Sequence, residues 1–501
     1  SAGENRGGSG SVVRAASPVD VHRATKLRRD GNDGITPGLA QPVTQVGKSA
    51  VQRRESISQL PCHGTLVRVG VPAAELQNRD ARSVFGHEEA GGRRHKLPEL
   101  LRLVAAPGHP LHAGVGLCDR LRVELGRLRR ALPPGARVEA LGCTLTIDNM
   151  GNMFARHPGA RDDLPPIAMG SHLDTQPTGG KYDGVLGVLG GLEIIRTLND
   201  LDIKTKHPIV VTNWTNEEGT RYAPAMLASG VFAGKHTLDW ANDRVDADGK
   251  RFGDELERIG WKGTEKVGDR KMHAFFELHI EQGPILEAEG KDIGVVTHGQ
   301  GLRWIECTVT GKESHTGSTP MHMRKNAGRG LALITELVHD IAMKNQPNAV
   351  GAIGHIDVYP NSRNIIPGKV VFTVDMRTHL LDKLNAMVAE LEERAPKICA
   401  DIGVEFSCEI VGQFDPPAFD EGCVNAVRNA AERLGYSHMD IVSGAGHDAC
   451  WINDLYPTAM VMCPCVDGLS HNEAEEISPD WAEKGANVLF HAVVETAEIV
   501  E

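Results

Sequence analysis

From residue 142 onward the chain alternates short apolar runs of strand length with longer stretches whose apolar positions recur at helical spacing. The run at 166–172 (Pro-Ile-Ala-Met-Gly-Ser-His) predicts a strand, 184–198 a glycine-rich helix, and 207–214 (His-Pro-Ile-Val-Val-Thr-Asn-Trp) a second buried strand. Strand, helix and strand in that order are the signature of an α/β layer with a mainly parallel sheet. Between 301 and about 410 the rhythm changes: strand periods at 302–309, 350–358 and 370–377 and helix periods at 325–343 and 381–402 predict a compact α+β unit. The first rhythm then returns, with a helix at 423–434, a strand at 457–463 and a closing helix at 481–500. The predicted architecture is an α/β domain, 141–298 and 412–501, interrupted by an inserted α+β domain at 299–411.

Composition sets outer limits on this picture. A chain of 501 residues that is 41% hydrophobic and 24% charged has ample length for a large core and little room for extensive disorder. No apolar run approaches the roughly 18 residues of a spanning helix, and residues 1–10 lack the apolar stretch of a secretory leader, so neither is expected. Ten cysteines without a Cys-x-x-Cys pair read as thiols in a reducing cytoplasm, Cys463 and Cys465 among them. The net charge of -12 hides a split, because residues 1–140 hold 19 Arg and 3 Lys against 13 acidic residues, a balance of +9. That Arg/Gly/Pro-rich arm has a single aromatic residue, Phe85, and no nucleic-acid motif, so it reads as an extension. A nucleic-acid-binding protein working through the arm is the different-class alternative.

The chemistry gathers in four polar clusters, three of which directly follow a predicted strand. In Gly170-Ser-His-Leu-Asp-Thr-Gln-Pro, His172 and Asp174 are two apart, so while the strand lasts they point the same way and Asp174 can orient the imidazole. Asp183 follows a glycine turn. In Asn213-Trp-Thr-Asn-Glu-Glu-Gly, Glu217 and Glu218 are adjacent carboxylates; a hydrolytic metal site needs one to hold metal and another to take a proton from water. Glu277-Leu-His-Ile-Glu-Gln-Gly and Gly468-Leu-Ser-His-Asn-Glu-Ala-Glu add His279 and His471. Three histidines with Asp and Glu suit zinc, manganese or cobalt rather than calcium or magnesium.

Six motifs, Ser-His-Leu-Asp-Thr-Gln-Pro, Asn-Glu-Glu-Gly, His-Ile-Glu-Gln-Gly, His-Thr-Gly-Ser-Thr-Pro-Met, Ser-Gly-Ala-Gly-His-Asp-Ala and Leu-Ser-His-Asn-Glu-Ala-Glu, follow one another between 171 and 475. In that order they resemble the hydantoinase/carbamoylase-type metal-dependent amidases: N-carbamoyl-L-amino-acid hydrolases, β-ureidopropionases and allantoate amidohydrolases, within the dinuclear aminoacylase/carboxypeptidase superfamily. The resemblance runs from about Gly142 to the C-terminus; residues 1–140 are not matched. It implies two divalent ions per subunit, zinc or alternatively manganese, cobalt or nickel. One would be held by His172 and His279, the other by Glu218 and His471, with Asp183 bridging. It further implies Glu217 as general base and then acid, and Gln282, Asn364 and Arg377 as substrate contacts. His315 of the insert would reach the active site of a partner subunit, making a homodimer through the inserted domains, and His447 would stand behind the ligands. The implied reaction is cleavage of the carbamoyl C–N bond of an N-carbamoyl amino acid, with allantoate hydrolysis and dinuclear aminopeptidase action as alternatives.

Overall fold

Eight strands form the main sheet, in the order Thr144–Ile147, Met153–His157, Ile209–Trp214, Ile167–His172, Ala274–Ile280, Thr458–Cys463, Ile293–Gly299 and His438–Ser443. These come from a computed structural model that describes residues 138–500; the basic arm, apart from its last three residues, lies outside the described residues. The four neighbouring strands from Ile209–Trp214 to Thr458–Cys463 are mutually parallel. Antiparallel pairs occur at Thr144–Ile147 with Met153–His157, at Met153–His157 with Ile209–Trp214, and at Thr458–Cys463 with Ile293–Gly299. The three strands Ile167–His172, Ala274–Ile280 and Thr458–Cys463 are buried at every position. Covered on both faces, they read in the sequence as continuous apolar runs rather than as alternation.

Helix Pro479–Ala497 packs between helices Val185–Asp200 and Glu421–Leu434. The glycines of Val185–Asp200 serve close packing: a Cβ on Gly187 would stand 2.5 Å from the Leu278 carbonyl oxygen of the neighbouring strand. Trp214 packs edge-on against Phe154, Phe232 and Phe275, anchoring the strand that precedes Glu217.

A second, antiparallel sheet has the order Glu405–Phe414, Gly301–Thr310, Lys369–Thr378 and Val350–Tyr359. Along Lys369–Thr378 the pattern alternates: Val370, Phe372, Val374 and Met376 are buried, while Val371, Thr373, Asp375 and Arg377 lie on the other, partly exposed face. Helices Ala327–Lys344 and Leu381–Asp401 pack against this sheet, giving a core of its own that includes Ile305, Leu337, Phe372 and Leu391. The chain enters this unit at 299–301 and leaves at 414–418. The guanidinium of Arg303 clasps the two crossings, donating to the Phe414 carbonyl at 3.1 Å and to Asp415 at 2.6 Å.

Candidate metal centre

The four parallel strands end on one edge of the main sheet, the edge where open α/β sheets place ligands. His172 is the last residue of its strand and His279 the last but one of its own. Glu217 and Glu218 follow Trp214, and His471 lies on the loop beyond Cys463. Asp183 immediately precedes helix Val185–Asp200, whose N-terminal end favours a carboxylate. Residues scattered over three hundred positions of sequence thus converge because their strands are neighbours in space.

Two triads share Asp183. Its Oδ1 stands 3.3 Å from His172 Nε2 and 3.1 Å from His279 Nε2, and its Oδ2 stands 3.5 Å from His471 Nε2. That imidazole in turn lies 3.2 Å from Glu218 Oε2. In each triad one donor atom per residue lies within 4.8 Å of the others. The inner triad is wholly buried, whereas the His471 side chain is 50% exposed, so the second triad forms the mouth of the site.

Hydrogen bonds fix how the rings face. His172 Nδ1 pairs with the Asp174 backbone carbonyl at 3.0 Å and His279 Nδ1 with the Ile280 carbonyl at 2.9 Å. A carbonyl only accepts, so each ring carries a proton on Nδ1; toward Asp183, Nε2 presents a lone pair when the ring is neutral, as metal binding requires, and a second N–H when the ring is charged. Burial would raise the Asp183 carboxyl, but the His279 charge and the bonds from both imidazoles outweigh it and hold it well below the usual range. Burial likewise opposes charging of His279, yet Asp183 and Glu277 lift its pKa to about 9. Glu218 Oε1 is buried without a hydrogen-bond partner. Nitrogen lone pairs, carboxylates and an orphaned anionic oxygen at one point fit divalent cations of borderline softness.

Glu217 is buried, with Oε2 3.5 Å from His172 Nε2. Burial pushes its carboxyl well above the usual range, opposed by His172 and reinforced by Asp448, Asp174 and Glu277. The Asp174 carboxylate departs from its expected part: Oδ1 lies 3.7 Å from His172 Nδ1, and the orienting bond comes from the residue's own backbone carbonyl. The strand stops at His172, so alternation no longer governs residue 174. Its two oxygens instead accept the backbone N–H groups of Glu217 at 3.2 Å and Glu218 at 3.1 Å, clamping the loop that carries both carboxylates.

Gln282 donates to Asp183 Oδ2 at 2.7 Å and to Ser470 Oγ at 3.1 Å, placing it at the mouth. His447 packs edge-on against His279 at 4.5 Å between ring centres, and burial holds it neutral, well below its usual pKa. The sequence reading gave no role to Gln176, Ser470 or Glu475, although all three lie in its quoted motifs. Glu475 is buried and accepts the backbone N–H groups of Tyr182 at 2.9 Å and Asp183 at 3.1 Å, while Ser470 Oγ lies 3.3 Å from its other oxygen. It ties the loop of Asp183 to the loop of His471.

The insert residues keep their hydrogen bonds within the insert. His315 Nδ1 accepts from the N–H groups of Gly317 and Ser318 at 3.0 and 3.2 Å, which puts the proton of a neutral ring on Nε2. Asn364 is adjacent, its carbonyl accepting from Thr316 N at 3.0 Å beside the Ile365–His315 pair. The Arg377 fork is paired with Asp375, at 3.0 Å from Nε to Oδ1 and 2.7 Å from Nη2 to Oδ2.

One backbone position sets the inner wall. Gly184 has φ +68, and a Cβ there would stand 2.4 Å from the His172 ring. Gly184→Ala is therefore expected to cost about 1–3 kcal/mol through strain and ring displacement, read as a lower unfolding temperature together with reduced metal content. An unchanged melt with full metal content would show that the ring has room to move.

Residues 168–495 match the peptidase family M20/M25/M40. An N-carbamoyl-L-amino-acid amidohydrolase from Rhizobium meliloti is 66% identical over 363 residues, covering 72% of this chain and 87% of that protein. A ureidoglycolate hydrolase from Arabidopsis thaliana is 34% identical, covering 70% of this chain and 75% of its own length. Among solved structures, a hydantoinase/carbamoylase family amidase from Burkholderia multivorans is 51% identical with a TM-score of 0.73, covering 77% of this chain and 98% of that one.

Proposed function

The chain belongs to peptidase family M20/M25/M40, and from that premise we propose that it is a metal-dependent amidohydrolase cleaving the carbamoyl C–N bond of N-carbamoyl-L-amino acids. The observation that carries this reading is the pair of triads sharing Asp183 beside the buried Glu217, in a chain 66% identical to an N-carbamoyl-L-amino-acid amidohydrolase. His172, Asp183 and His279 would hold one divalent ion and Asp183, Glu218 and His471 the other, zinc being the ion these donors suit best. Such ions supply Lewis acidity when bound, polarising the scissile carbonyl and acidifying water.

The chain's own residues do the rest. Glu217, unligated in this scheme, takes a proton from water on a carboxylate oxygen and delivers it to the leaving nitrogen. Asp174 keeps Glu217 in place by holding its N–H. The products are the free amino acid and a carbamate that falls apart to carbon dioxide and ammonia. Two inserts pairing about a two-fold axis would bring His315 of each subunit to the other's site, its Nε2–H suited to donate to a developing oxyanion. All eight described cysteines are free thiols, in keeping with a reducing cytoplasmic setting. Among the described residues no helix is long and apolar enough to cross a membrane.

Hydrolysis of N-carbamoyl-L-methionine, N-carbamoyl-β-alanine, allantoate and a dipeptide, measured in parallel with added metals, tests the assignment. Turnover of the dipeptide without turnover of any carbamoyl substrate would overturn it, and preference for allantoate would move the protein to the ureide branch. Arg377 gives a further test. A guanidinium binds a substrate carboxylate at two points and an ammonium cannot, so Arg377→Lys is expected to lower kcat/KM about tenfold or more. Unchanged kinetics with carboxylate substrates would remove Arg377 from the site.

A further inference from the structure

The two triads differ in how their carboxylates are held. Asp183 is fixed from several sides, but Glu218 stands at the mouth opposite a half-exposed imidazole, with one oxygen unpartnered. The group that restrains it is Gln176. Its Nε2 donates to Glu218 Oε2 at 2.8 Å, the same oxygen that faces His471, and also lies 3.4 Å from the Glu218 carbonyl. Its Oε1 accepts from Thr220 Oγ1 at 2.9 Å. This orientation of the amide is chemically required: a carboxylate only accepts, so the NH₂ must face Glu218 and the carbonyl must face the hydroxyl. Thr220, Gln176 and Glu218 thus form a directed chain in which each group has one way to point.

Resting on the ion-site assignment above, the geometry points to Gln176 as a positioning residue that aims the Glu218 carboxylate and thereby sets the affinity of the outer ion position alone. A neutral amide is suited to this: it holds one oxygen by hydrogen bonding without adding a positive charge that would compete with a cation. Groups that hold a metal ligand from behind are typically worth about 10–100-fold in metal affinity. Gln176 makes no hydrogen bond to His172, Asp183 or His279, so the inner position should not feel its loss.

The test is titration of the chelator-stripped full-length protein with Co²⁺, following heat and the visible absorption of the bound ion. Wild type should take two ions per subunit and His471→Ala one. Gln176→Leu keeps the volume and removes the donor. It should still bind two, the dissociation constant that His471→Ala abolishes rising about 10–100-fold while the other constant and the unfolding temperature stay put. Thr220→Val, which removes only the bond that orients the amide, should shift the same constant in the same direction by less, without touching the carboxylate. If Gln176→Leu leaves the outer constant unchanged, or weakens both positions equally, Gln176 does not set it. If wild type binds a single ion, or His471→Ala still binds two, the ion-site assignment falls, and this inference with it.

Discussion

Glu217→Gln is expected to keep about two metal ions per subunit while kcat falls by about 10²–10⁴-fold, the range typical for loss of a positioned proton-transfer group. The substitution preserves shape and the N–H held by Asp174, but an amide cannot accept and return a proton. Glu218→Gln should behave oppositely, losing one ion, because its Oε2 faces His471 at 3.2 Å and belongs to the outer triad. The two residues are adjacent in sequence and both buried, so overall packing does not separate them. Metal analysis of the two dialysed variants does. If Glu217→Gln lost an ion while Glu218→Gln kept both, the two roles would be exchanged.

The second large effect concerns the insert. His315 is exposed, its hydrogen bonds stay within the insert, and its Nε2–H serves as a donor only if another group comes to it. With two subunits related by a two-fold axis, His315→Ala should lose on the order of a hundredfold in kcat, as removal of one oxyanion donor does. Mixing inactive His315→Ala and Glu217→Gln proteins under subunit exchange should then restore activity, because one site of each hybrid pairs an intact Glu217 with an intact His315. Random exchange makes half the dimers hybrid, so recovery should approach about a quarter of wild type. Demonstrated exchange with no recovery would place His315 outside the partner's site.

Much of this was readable from the chain because buried parallel strands leave uninterrupted apolar runs and the candidate site residues lie at or just beyond their ends. The strands ending in His172, Trp214 and Cys463 were found this way. Thr144–Ile147, His438–Ser443 and Glu405–Phe414 were not, because they are short or half exposed and carry no such run. Ile293–Gly299, though mostly buried, is framed by glycines that read as a turn. Individual candidate donors were legible by their company at the end of an apolar run, His172 beside Asp174 and His279 between Glu277 and Gln282. The supporting groups were hidden: Glu473 and Glu475 look alike in the sequence, yet one is exposed and the other buried under Asp183. Asp174 was assigned by strand alternation two residues beyond the point where the strand ends. Such placements come from long-range packing that no local period reports.

The order of strands in the main sheet also has a consequence during synthesis. Thr458–Cys463 lies between Ala274–Ile280 and Ile293–Gly299, so the centre of the sheet is completed by a segment made about 165 to 185 residues after its neighbours. At roughly 5–20 residues per second, His172 and Asp183 leave the ribosome about 15–60 s before His471 and Glu475 follow. Until then the nascent chain presents two open strand edges and every candidate metal ligand except His471, a state that invites wrong pairing and calls for protection by chaperones. The inserted unit, whose core draws on residues 305–408, can fold within that interval and wait as a finished body on an unfinished one.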